Sequence, residues 1–189
     1  MKLEDTMLEE LIAYHCAPAL VGIKASNIVT YNNKKYPNAK SQIKMLNLLL
    51  NQRDIYIEVI CECERSTILI VYKKTKLLAQ LNDRQVNLFL SEFGYANCEN
   101  LDDYLNILRK RMKQEQFPHE IGVFLGYPVQ DVYSFINHKD EGCIYVGAWK
   151  AYSNIEYAKN MFLRYKRCRA ALIRRINEGK SLVDIFCVA

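Results

Sequence analysis

The sequence predicts an α+β fold, a small and mainly antiparallel sheet of three or four strands covered by about seven helices. Two observations carry that expectation. Most apolar residues recur at helical spacing, whereas only a few short segments are rich in Ile, Val and Tyr. The strand-like segments also come as a hairpin followed by a helical run, not as a regular strand–helix alternation. Half of the 189 residues are hydrophobic, enough for one well-buried core. No repeat, low-complexity tract or linker interrupts the chain, so a single globular domain over 1–189 is expected.

The elements follow in order. Leu8, Leu11 and Ile12 lie at helical spacing over 4–14 behind a first turn of acids, and Pro18 predicts the stop. Residues 27–37 read as a short strand running into the polar turn Asn32-Asn33-Lys34-Lys35. Ile43, Leu46 and Leu50 give an apolar stripe to a helix over 37–51. The period then changes: 54–62 and 67–73 are strand-like, and the polar link between them predicts an antiparallel hairpin. In its first strand Glu58 and Glu62 alternate against Ile57, Val59 and Cys61. Helices are predicted at 74–81, 83–93 and 102–114, the last opened by Asp102-Asp103 and closed by Arg109-Lys110-Arg111, in the order the helix dipole favours. Two short helices meet about Tyr127, where Pro118 opens the first, Gly126 closes it and Pro128 opens the second. Residues 143–152 read as one strand, with Ile144, Val146, Ala148, Lys150 and Tyr152 on one face. Asn154 can cap a long helix running to Glu178, Gly179 stops it, and the apolar segment 182–188 is expected to dock on the core.

Composition narrows the function classes. No run of about eighteen apolar residues exists, and the start of the chain is acidic and amphipathic where an export signal would be apolar. A cytoplasmic protein with no membrane partner is expected. The seven cysteines are odd in number and none falls in a Cys-x-x-Cys pair, so reduced thiols are expected and a zinc ribbon is not. There is no Gly-x-Gly-x-x-Gly and no Gly-Lys-Ser/Thr loop; no nucleotide cofactor is indicated and no other cofactor is identified. The net charge of +5 is concentrated late, with seven basic and no acidic residues over 159–175.

Several residues could carry chemistry. In His15-Cys16 an imidazole adjoins a thiol, the pairing that can make a nucleophile or a soft-metal ligand. His119-Glu120 occupies a helix start, where a polarised or anionic ligand is welcome. Lys150 interrupts an apolar strand face and could reach an anion or a carboxylate such as Glu120, beside Trp149 and Tyr152. Arg169 projects into the apolar stripe formed by Ala158, Met161, Phe162, Tyr165, Leu172 and Ile176, which calls for a buried acceptor or an anion. Cys61-x-Cys63 places two thiols on one side of a strand end. The two helices about Tyr127 have the spacing of a DNA-reading helix pair, but the second begins Pro128-Val129-Gln130-Asp131 and offers few donors for phosphates.

The run Phe117-Pro118-His119-Glu120-Ile121-Gly122-Val123-Phe124-Leu125-Gly126-Tyr127-Pro128, together with His15-Cys16-Ala17-Pro18 and Gly147-Ala148-Trp149-Lys150-Ala151-Tyr152, resembles the signature blocks of a bacterial domain-of-unknown-function family, number 3793, common in anaerobic Gram-positive bacteria. That family has no established activity, so the resemblance implies an architecture and no reaction; its His-Glu maps onto His119 and Glu120. Three blocks that each contribute a polar or reactive group lead to the expectation of a polar pocket for a small anionic ligand or a metal. His15, Cys16, His119 and Glu120 are its candidates for thiol or histidine chemistry, and Trp149, Lys150, Tyr152 and Arg169 for ligand contact. The alternatives are a helix-turn-helix DNA-binding protein, with nucleic acid not favoured, and a protein-interaction module without catalysis.

Overall fold

The computed structural model describes residues 3–187. In chain order its elements are α1 (Leu3–Leu20), β1 (Ser26–Asn32), α2 (Ala39–Leu50), β2 (Ile55–Glu62), β3 (Ser66–Lys73), α3 (Lys74–Leu81), α4 (Arg84–Leu90), α5 (Leu101–Arg111), α6 (Ile121–Phe124), α7 (Val129–His138), β4 (Tyr145–Val146), β5 (Lys150–Ala151), α8 (Ile155–Asn177) and α9 (Leu182–Phe186). This is the mixed α+β class that the hydrophobic periods predict. The chain divides into two compact units, one made of the residues up to Lys76 with those from Arg167 onward, the other of Leu77–Lys166.

The first unit is built on an antiparallel sheet in the order β1-β3-β2. Alternation sends Val29, Tyr31, Ile55, Ile57, Leu69 and Val71 to one face, where they meet Leu8, Ile12, Cys16 and Leu20 of α1, Leu46 and Leu50 of α2, and Leu172 and Ile176 of α8. α9 closes this core with the buried Leu182, whose N–H donates to Glu9 Oε2 at 2.5 Å. The predicted docking of the C-terminal segment therefore holds through Cys187, and Val188 lies outside the described residues.

Two expectations need correction here. The first helix does not stop before Pro18; it runs to Leu20 with Pro18 inside its last turn. Proline removes one helical donor there, but Cys16, Ala17, Ala19 and Leu20 are fully buried, and that packing carries the chain past it. Gly22, at φ +78°, ends the turn. In β2 the simple alternation breaks at a bulge between Val59 and Cys61, so Cys61 lies opposite Ile68 and shares the face of Glu58 instead of that of Val59.

The second unit is mainly helical. Asp83 caps α4 by accepting from the backbone N–H groups of Gln85 and Val86, and Asn100 with Asp103 forms a reciprocal capping box on α5. Tyr95, Tyr104 and Phe124 pack with ring centroids 5.6 to 6.4 Å apart at its centre. The expected single strand over 143–152 is instead a minimal hairpin, β4 pairing with β5 through Val146 opposite Lys150. Gly147 is the reason the chain can fold back: a Cβ built there would lie 2.1 Å from the Phe162 ring.

Candidate functional site

In the second unit the corner at 117–128 is a locked structure. The opening turn follows Pro118, with Ile121 N–H on the Pro118 carbonyl and Gly122 N–H on that of His119. At the other end Gly126, at φ +72°, donates to the Val123 carbonyl while Tyr127 donates to that of Gly122, the paired bonds of a Schellman stop. Pro128 then caps α7. At Gly122 α6 and α7 approach closely, since a Cβ on it would meet Val132 Cγ2 at 2.7 Å.

His119 and Glu120 point to different environments. Glu120 is 1% exposed and pairs with Arg111 Nε, while Tyr95 Oη donates to it at 3.4 Å. That buried ion pair ties α5 to the corner, and Arg111 lies over the Phe93 ring. Burial, with the Glu120 charge second, pushes the Tyr95 phenol well above its usual range. The exposed His119 ring packs edge-on against Phe135, centroids 5.0 Å apart. Lys150 Nζ lies over the same Phe135 ring at 5.2 Å and pairs with Asp140, which raises the lysine pKa through their hydrogen bond. The carboxylate that Lys150 meets is thus Asp140, and the cation that Glu120 meets is Arg111.

Trp149 joins the two family blocks of this unit. Its ring stacks near Tyr127 at 5.1 Å and edge-on to Phe162 at 4.5 Å, and its Nε1 donates to Asp131 Oδ2 at 2.8 Å. Asp131 Oδ1 accepts from Tyr152 N–H (2.9 Å), Ser153 N–H (3.2 Å) and Ser153 Oγ (3.0 Å). Sequence reasoning names Asp131 only in a helix start that offers few donors for phosphates, yet at 3% exposure it is the acceptor that binds α7 to the hairpin. An acid in the first turn of a helix looks like ordinary dipole complementation, which is why nothing local betrays this role. Tyr152 Oη donates to the Lys139 carbonyl.

The first unit holds the remaining candidates. Cys16 is fully buried, and burial pushes its thiol far above the ordinary range, against a smaller lowering by Lys24 and Arg169. A thiol held protonated in this way is a poor nucleophile. His15, one residue back on α1, is exposed at the surface; partial burial and then the Arg169 charge lower its pKa. Arg169 comes from α8, its guanidinium over the Tyr14 ring at 5.0 Å and its Nε buried with no hydrogen-bond partner among the described residues. Lys24, in the loop before β1, is 6% exposed, and burial, with a smaller lowering by the Arg169 charge and against a raising by Cys16, brings its pKa down to about 8. Sequence reasoning reaches Arg169 through its angle on α8 but misses Lys24, whose only signal is a lone lysine between Ile23 and Ala25.

Elsewhere, Cys63 is exposed in the β2–β3 turn, its Sγ 3.3 Å from both the carbonyl and the hydroxyl of Ser66; the Ser66 side-chain bond lowers its pKa. Among the described residues no group of three or more His, Cys, Asp or Glu side chains could hold a metal ion. On α7, Gln130, Tyr133 and Asn137 are exposed, Val132 is buried, and Val129, Phe135 and Ile136 are half-buried; α6 spans four residues.

The fold and these contacts define a mixed α+β protein whose blocks at 117–128 and 147–152 lock together around Trp149. The profile of the family described as "Protein of unknown function (DUF3793)" matches residues 12–186, and the chain belongs to that family. No curated protein and no solved structure matches it. Among the described residues no helix is long and apolar enough to cross a membrane.

Proposed function

We propose that the protein binds a small oxyanion, a phosphate, sulfate or carboxylate group, at Arg169 and Lys24, beside His15 and Cys16. The observation that carries this reading is the Arg169 Nε, a buried donor with no hydrogen-bond partner among the described residues. Leaving such a donor unsatisfied costs about 1–3 kcal/mol, and the edge of a guanidinium presents donors in the fork that two oxyanion oxygens match. Lys24 supports the reading: a second buried cation lies close enough to Arg169 for the two charges to repel, and an anion beside them relieves that repulsion. Two cations make poor company for a metal ion, so the anion is the ligand we propose. The neutral His15 imidazole can add a hydrogen bond at the rim, and the protonated Cys16 gives the site a soft floor. No reaction follows from this arrangement, and a binding role is the conclusion.

Calorimetric titration of the purified chain with inorganic phosphate, sulfate and acetate tests it. Saturable binding of at least one anion is expected, weakened in Arg169→Lys, which keeps the charge but loses the fork, and abolished in Arg169→Met. Binding that is absent, or that is unchanged in both variants, would overturn the reading.

A further inference from the structure

The second unit contains a cavity of about 400 Å³ at the starts of α4, α7 and α8, next to the Gly126-Tyr127-Pro128 corner. Its size falls at the lower end of the range of small-molecule sites, about 300–1,000 Å³. The chemistry of its wall differs from that of the Arg169 cluster. Among the described residues no lysine, arginine or histidine lines it, and the one carboxylate, Asp83, already accepts the Gln85 and Val86 N–H groups through Oδ1. An anion meets no opposite charge there, and a cation meets only that engaged carboxylate.

What the wall does offer is carboxamides and phenol rings. Gln80, Gln85 and Gln130 each present one group that accepts and one that donates, and Asn154 adds its amide N–H donors, its Oδ1 being taken by the Tyr157 N–H. Gln130 Nε2 meets Gln85 Oε1 only at 3.4 Å, a long contact that an inserted hydroxyl would replace with two shorter ones. Tyr127 and Tyr157 add apolar ring surface, and Tyr127 is held from behind by Trp149.

We infer that this cleft is a binding site for a neutral, hydroxyl-rich ligand of saccharide type. Each hydroxyl of such a ligand both donates and accepts, which is what planar carboxamides complement, and the C–H face of a pyranose fits against a tyrosine ring. The site stands independently of the oxyanion site, because it shares no residue with it.

The test is a two-dimensional amide NMR titration of the full chain with maltose and with N-acetylglucosamine, alongside adenosine and N-acetylglycine amide, each to roughly 50 mM. Trp149 emission supplies a second readout, since this is the chain's single tryptophan and its ring lies against Tyr127. A saturable shift at Tyr127, Gln130 and Ser153 with one of the saccharides is expected, weakened roughly ten-fold in the Gln85→Ala/Gln130→Ala double variant. Because Gln85 and Gln130 are exposed, that variant retains the wild-type spectrum elsewhere. No saccharide shift, a shift the double variant leaves unchanged, or adenosine or the amide binding in place of the saccharides would overturn the inference.

Discussion

Asp131 shows how one side chain can hold a region together while looking ordinary in the sequence. Four donors converge on its carboxylate, so Asp131→Ala strands the buried Trp149 Nε1–H and the half-buried Tyr152 N–H. A loss of about 2–4 kcal/mol is expected, read as a lower urea midpoint. Lys24 ties stability to pH. Its folded pKa of about 8 lies below the ordinary lysine value of 10.5, so between those values the unfolded chain holds the extra proton and stability rises with pH. Above about pH 9 the Cys16 thiol opposes this, because it ionises in the unfolded chain and stays protonated in the folded one. The expected result is a gain of about 1 kcal/mol from pH 8 to 9 in a buffer free of oxyanions, absent in Lys24→Met; a flat wild-type profile would contradict the placement of this lysine. The thiols are equally distinct. Alkylation mapped by mass spectrometry should modify Cys63 early and Cys16 only on unfolding, as their exposure and opposite pKa directions require.

At the scale of elements, the signals that were legible in the sequence are the local ones. Pro118, Gly126 and Pro128 specify the corner because each acts through its own backbone, and Asn154 and Gly179 likewise bound α8, with Asn154 Oδ1 accepting the Tyr157 N–H and Gly179 at φ +84°. What was not legible depends on distant partners. The bulge in β2 and the continuation of α1 through Pro18 are decided by packing that no window of the sequence contains. The fold-back at Gly147 is the sharpest case, since a glycine inside an apolar run reads as strand until Phe162 is placed against it. Gly147→Ala is expected to cost about 1–3 kcal/mol through overpacking on that ring, and the loss should be largely recovered in Gly147→Ala/Phe162→Leu. Gly126→Ala should cost less, about 1 kcal/mol, because it strains only the positive-φ stop.

For the molecule as a whole, the sequence reveals the class of fold, the late concentration of positive charge and the one arginine on the wrong face of α8. It does not reveal which groups meet Arg169, because Tyr14 and Cys16 on α1, Lys24 in the following loop and α8 come together only in the folded unit. The same charge distribution bears on nucleic acid. Arg164, Arg167, Arg174 and Arg175 are exposed along α8, so weak duplex binding that vanishes as salt rises, with no dependence on Gln130 or Asn137, is the expected outcome of a DNA titration. Anion binding at Arg169 is tested by following the Arg169 Nε–H and Lys24 Nζ resonances by ¹⁵N NMR as inorganic phosphate is added at neutral pH. The Arg169 Nε–H signal is expected to move saturably and the Lys24 pKa to rise from about 8 as the anion binds. An Arg169 Nε–H signal that stays in place while phosphate is raised, with the Lys24 pKa unchanged, would contradict it.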